Sequence, residues 1–105
     1  MDENGDRQRI DKWLWFARLA RTRTLAQKLA VSGKIRVNRE RNDSASRLLK
    51  IGDTLTIAAG RDVRVLRVVA CGLRRGPPAE AQGLYDEVPP RTGEELPLQG
   101  VSWEI

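Results

Sequence analysis

The chain has 105 residues, 40% hydrophobic and 31% charged, which bounds it to one domain with a single modest core and leaves little room for both a binding module and a catalytic domain. No apolar run approaches the roughly 18 residues of a membrane span, and residues 1–6 are acidic, unlike a signal or transit peptide, so a cytoplasmic protein is expected. The net charge of +5 is concentrated: residues 7–41 carry eleven Lys or Arg against Asp11 and Glu40, whereas residues 79–105 carry Arg91 against six acids. Such a basic stretch repels itself unless an anion screens it, which points to nucleic acid before a solvated basic face. Cys71 is the sole cysteine and histidine is absent. That excludes an intrachain disulfide, a multi-cysteine zinc site and histidine-based acid–base or nucleophilic chemistry. No metal or cofactor is expected.

Residues 1–8 read as a disordered lead-in. A first helix begins near Arg9 or Ile10. Ile10, Trp13, Leu14, Ala17 and Ala20 fall at the spacing of one buried helical face. Trp15, Phe16 and Leu19 lie outside that face, so the helix touches two neighbours or leaves Trp15 for stacking; core or core edge is the preferred placement. A basic turn, Arg21-Thr22-Arg23-Thr24, precedes a second helix running to about Ser32. Thr24 with Gln27 has the form of a capping box, with Thr22 the other candidate N-cap. Leu25 and Leu29 form the buried pair, Ala26 and Ala30 permit close approach, and Lys28 faces away. Gly33 sits where a left-handed residue ends the helix.

Ile35 and Val37 alternate with Arg36 as a short strand, and Asn38-Arg39-Glu40 turns. Residues 42–47 are loop-like. Residues 50–53 make a tight turn into a strand over 54–58, and Gly60-Arg61-Asp62 turns into a β-branched run over 63–70. This gives three or four short strands, largely antiparallel. Arg64 and Arg67 differ in parity, which leaves a bulge or mixed faces open. All five prolines fall between Pro77 and Pro97, so that stretch is neither a long helix nor a central strand. A helical turn over 79–85 is compatible, with Leu84, Tyr85 and Trp103 tacking the tail to the domain.

Arg9-Ile10-Asp11, Thr22-Arg23-Thr24 with Ala26, Gly33, Val37-Asn38 and Gly52-Asp53 occur in the order typical of an S4-type RNA-binding domain, and residues 9–57 resemble one. Asp11-Lys12-Trp13-Leu14-Trp15, Ala17-Arg18, Thr22-Arg23, Arg74-Arg75-Gly76-Pro77, Glu80-Ala81 and Leu84-Tyr85-Asp86-Glu87 extend the resemblance to the bacterial fifteen-kilodalton heat shock family of ribosome-associated S4 proteins. It implies an α+β, S4-like (alpha-L motif) fold: two packed helices on a small, mainly antiparallel sheet, here spanning 9–75 and followed by a Pro-rich acidic tail over 76–105. It also implies binding of ribosomal RNA or tRNA in large subunits stalled with a nascent chain on tRNA, for recycling. Two departures stand out. The family's Asn-Gly turn is Asn38-Arg39 here, which places Arg39 under strain or in another turn type. The basic helical C-terminal extension of some members is replaced by the acidic tail.

A-form RNA is recognised by shape and phosphate spacing, which calls for a rigid array of cations and not a catalytic group. Arg9, Lys12, Arg21, Arg23, Lys28, Lys34, Arg36 and Arg39 are the candidates, with Arg74 and Arg75 as an extension. Arg23 leads, since its fork can hold a phosphate bidentately at the entrance of the second helix; a salt bridge is its alternative role. Thr22, Thr24 and Gln27 are capping residues that also join the candidate surface, and Asn38 is a turn former that also reaches RNA. Asp11 is expected to be a structural partner of a neighbouring Arg. The reading is a monomer that binds structured RNA without catalysis. A helix-turn-helix DNA-binding protein is the first rival. A strand directly after the second helix, a single charge on that helix and the motif order all argue against it. An accessory module for a separate enzyme and a protein-binding role for the acidic tail are the others.

Overall fold

The first helix stops earlier than its apolar spacing suggests, and the stop shapes the fold. In the computed structural model, which describes residues 6–59 and 62–88, α1 spans Ile10–Phe16. Arg18 takes the left-handed conformation (φ 62°). Its N–H donates to the Trp15 carbonyl and that of Leu19 to the Leu14 carbonyl, at 3.1 and 2.9 Å. This is the Schellman arrangement, with Arg in the place that favours glycine. The Arg18 Nε donates to the Gly76 carbonyl at 2.7 Å, which anchors the side chain over the turn. Ala17, Leu19 and Ala20 are buried, as their apolar character requires, but the last two lie beyond the helix.

The second helix, α2, spans Arg23–Val31, and its N-cap is Thr22. The Thr22 Oγ1 accepts from the Leu25 N–H at 3.0 Å, so the alternative cap is the one realised and Thr24 lies inside the first turn. Gly33 (φ 85°) follows the helix end, as anticipated. The buried Asn42 amide donates to the Ala30 carbonyl at 2.8 Å and satisfies one of the carbonyls that a helix end leaves open.

Among the described residues two antiparallel sheets complete the α+β architecture. The larger has strand order β3-β2-β5-β6-β7, built from Ile35–Val37 (β2), Glu40–Arg41 (β3), Thr54–Ala59 (β5), Asp62–Val68 (β6) and Tyr85–Val88 (β7). The smaller pairs Arg7–Arg9 (β1) with Leu48–Lys50 (β4). Ile35, Val37, Leu55, Ile57, Leu66 and Val68 point inward against Ile10, Trp13 and Leu14 of α1 and Ala26, Leu29 and Ala30 of α2. Each such fully buried Leu or Ile contributes about 1.5–3 kcal/mol relative to exposure. Trp13 is the centre of this core. Its indole N–H donates to the Ala70 carbonyl at 3.0 Å, and its ring meets Tyr85 edge-on at 6.2 Å. Trp15 is half-buried and stacked on Phe16, at the core edge and not on an open stacking surface.

Several expectations are corrected. The ordered fold starts before residue 9: in β1 the buried Gln8 amide both donates to and accepts from the Gly72 backbone, at 2.8 and 2.9 Å. Among the described residues seven strands form instead of three or four, because β1, β3, β4 and β7 are too short to show periodicity. The fold also continues past residue 75. Pro78–Ala81 form a short helix (α3), residues 82–84 a 3-10 turn, and β7 then pairs with β6. The β5–β6 register is unbroken, so Arg64 and Arg67 lie on opposite faces without a bulge. Arg64 shares the parity of Leu66 and Val68, pairs with Glu87 and sits over the Tyr85 ring. Residues 1–5, the Gly60-Arg61 turn, and the tail from 89 with Trp103 lie outside the described residues.

Candidate nucleic-acid interface

The entrance of α2 is organised by one buried carboxylate. Asp11 is fully buried in the first turn of α1. Its Oδ1 accepts from Arg9 Nε at 3.1 Å and from the Lys12 backbone N–H at 2.8 Å. Its Oδ2 accepts from Arg9 Nη2 at 2.9 Å, Arg23 Nη2 at 3.3 Å and Gln27 Nε2 at 3.4 Å. Burial alone would raise the carboxyl pKa. The Arg9 hydrogen bonds, the Arg23 and Arg9 charges and the Lys12 N–H outweigh it, so the pKa lies below the ordinary value. Asp11 is thus a carboxylate at neutral pH and a structural partner of arginine, as expected from the sequence. It ties Arg9, before α1, to Arg23 and Gln27 on α2. The leading candidate, Arg23, is half-buried in this ion pair, and its Nε is buried without a hydrogen-bond partner among the described residues.

The second part of the surface is the β2–β3 hairpin. Asn38 and Arg39 both take positive φ (51° and 76°) between the paired Val37 and Glu40, the geometry of a type I′ turn. The Asn38 side chain is engaged through both its nitrogen and its oxygen. Its Nδ2 donates to Asp53 Oδ1 at 3.0 Å and its Oδ1 accepts from the Thr54 N–H at 2.9 Å. Asp53 in turn accepts from the Lys50 N–H at 2.9 Å, next to Gly52 at φ 98°. The Val-Asn and Gly-Asp motifs are therefore two halves of one lock, which fixes the hairpin against β5. Asn38 is a turn former whose amide faces the fold.

On this fixed hairpin Arg36 stands directly opposite Arg41, and both are exposed. Like charges at opposed positions destabilise a strand pair unless an anion lies between them. The Arg41 guanidinium lies against Gly33, where an added Cβ would fall 2.6 Å from its Nη2, so Arg41 reaches the end of α2 beside Lys34. Among the described residues no acidic side chain pairs with Arg21, Lys28, Lys34, Arg36, Arg39 or Arg41. Thr24 is exposed in the first turn of α2 and Lys28 on its outer face. Lys12 is half-buried on α1. Arg74 is engaged by Glu80 across 3.1 Å.

The predicted cations thus fall into two groups. Arg9 and Arg23 are pinned on Asp11, whereas Arg21, Lys28, Lys34, Arg36 and Arg39 have no acidic partner among the described residues; Lys12, on α1, belongs to neither group. Sequence reading missed Arg41. Its signal is the two-residue turn itself, since a hairpin closing at Asn38-Arg39 must set residue 41 opposite residue 36.

The S4 domain family matches residues 8–55, the segment holding both helices, the hairpin and the Asn38–Asp53 lock. The fold and this surface define an S4-domain protein. Heat shock protein 15 of Escherichia coli (strain K12) is 40% identical over 79 residues, covering 75% of this chain and 59% of that protein. The homolog from Haemophilus influenzae is 39% identical over 80 residues, covering 75% and 60%. The solved structure of Heat Shock Protein 15 from Vibrio cholerae, described as trimeric, superposes with a TM-score of 0.73 at 35% identity, covering 79% of this chain and 83% of that one. The chain belongs to the heat shock protein 15 family of S4-domain proteins. It spans about three-fifths of the length of the curated relatives it matches.

Proposed function

We propose that this chain binds structured RNA, without catalysis, through the face made by α2 and the β2–β3 hairpin. The observation that carries this reading is the Arg36–Arg41 pair: two exposed arginines at opposed positions of a locked hairpin, joined by the exposed Lys34, Arg39, Lys28 and Arg21. A rigid cation array of this kind suits the phosphate spacing of an A-form helix. The strand that follows α2 directly packs the C-terminal end of that helix onto the sheet, which disfavours the major-groove docking of a helix-turn-helix protein.

The finer reading is that the RNA belongs to large ribosomal subunits stalled with a nascent chain on tRNA, in the bacterial cytoplasm. It rests on the family membership and on the size of the cation face. We infer a monomer as the binding unit; sedimentation velocity of the free protein tests this against the trimeric arrangement described for the Vibrio cholerae relative. The functional test is co-sedimentation from lysate through a sucrose gradient. Travel with free large subunits supports the reading. Absence from all ribosomal fractions, with retained binding to naked RNA, would remove the ribosomal target and leave RNA binding intact.

A further inference from the structure

We infer that Asp11, though buried and itself anionic, is a positioning residue for RNA binding. Its carboxylate gathers Arg9, Arg23 and Gln27 into one fixed cluster at the entrance of α2, so removing the negative charge weakens binding to a polyanion. The inference rests on the RNA-binding reading above.

The geometry carries it in three steps. Arg23 opens α2, where unpaired backbone N–H groups already favour an anion. A long arginine side chain at a surface position would ordinarily swing into water and hydrate all its donors. Here it is folded onto Asp11, and its Nε is left without a partner among the described residues. Arg9 approaches the same carboxylate from the other side through both Nε and Nη2. Two guanidiniums that would repel each other are therefore held close by a shared counter-charge, in one rigid arrangement. Preorganisation of this kind removes the ordering cost that a free arginine meets when it binds.

The test turns on a sign. Asp11→Asn keeps the side-chain shape and deletes one negative charge inside a basic face. Coulomb attraction alone then predicts tighter RNA binding. Positioning predicts weaker binding, by about fivefold at 0.15 M salt, the effect of one misplaced phosphate contact. The probe is a structured ribosomal RNA fragment, followed by fluorescence anisotropy at a temperature where near-ultraviolet circular dichroism shows both proteins folded. A double-mutant cycle separates positioning from a general structural role. Arg23→Ala should weaken the wild type but add little in the Asp11→Asn background. Unchanged or tighter binding by Asp11→Asn, or full additivity with Arg23→Ala, overturns the inference. Should Asp11→Asn not fold, Arg23→Lys decides instead. It keeps the charge but loses the fork, so weak binding supports positioning and wild-type binding overturns it. If the wild type shows no salt-dependent RNA binding, the functional reading fails, a result distinguishable from all of these.

Discussion

Replacing Arg39 by glycine should stabilise the fold and weaken RNA binding at once. Arg39 sits at φ 76° in the second position of the Asn38-Arg39 turn, a conformation that costs a residue with a Cβ about 1–2 kcal/mol and glycine nothing. Glycine returns part of that gain through its freer unfolded state, roughly 0.5–1 kcal/mol. At the middle of both ranges the net is about 0.75 kcal/mol, or about 3–6 °C in Tm for a domain of this size. The substitution also removes an exposed cation from the hairpin tip that has no acidic partner among the described residues. Losing one phosphate contact lowers the salt slope by about 0.7–0.9 and the affinity at 0.15 M salt by roughly four- to fivefold. Thermal unfolding by circular dichroism and anisotropy titrations at three salt concentrations measure the two effects independently. An unchanged or lower Tm would refute the strain argument, and an unchanged affinity and slope would take Arg39 out of the interface.

Other consequences follow from individual contacts. Thr22→Ala should cost about 0.5–2 kcal/mol by removing the α2 cap, whereas Thr24→Ala, at an exposed site, should stay within about 0.5 kcal/mol; equal losses in urea denaturation would contradict the capping assignment. Trp13→Phe removes the indole donor to the half-buried Ala70 carbonyl, at a cost of about 0.5–1.5 kcal/mol; chemical denaturation with no loss relative to the wild type would contradict the role given to that bond. Asp11 has a depressed folded pKa, so its contribution to stability is complete above the ordinary carboxylate value and declines as pH falls from there through the folded pKa. The acid-limb slope of stability against pH should be shallower in Asp11→Asn, and an identical slope would show that the ion-pair network does not set it.

The helices and their faces were legible because apolar spacing and capping residues are local signals. Ile10, Trp13 and Leu14 declared the buried face of α1, and Gly33 declared the end of α2. The stop at Arg18 was not legible, since arginine does not favour the left-handed conformation and the contact that anchors it, to Gly76, is distant in sequence. The same reason hides β1, β3, β4 and β7: strands of two to four residues show little period, and their partners are set by tertiary packing. The candidate cations were legible as residue types but not as roles. Nothing in the spacing tells that Arg23 faces Asp11, because that depends on helix packing, whereas Arg41 falls opposite Arg36 only once the turn is placed at Asn38-Arg39. The Val-Asn and Gly-Asp motifs became intelligible only when Asn38 and Asp53 were seen to bond each other.

The central claim is that the hairpin and α2 cations form one RNA-binding face, and the paired variant Arg36→Ala with Arg41→Ala tests it most directly. Both side chains are exposed on a hairpin held by the Asn38–Asp53 lock, so the fold should persist, with Tm unchanged or slightly raised as a like-charge pair is removed. For a structured ribosomal RNA fragment the account predicts a salt slope smaller by about 1.4–1.8 and an affinity lower by roughly twentyfold at 0.15 M salt, with duplex DNA of equal length bound more weakly than RNA by the wild type. An unchanged slope for the folded variant, or equal or tighter binding of DNA by the wild type, would contradict it.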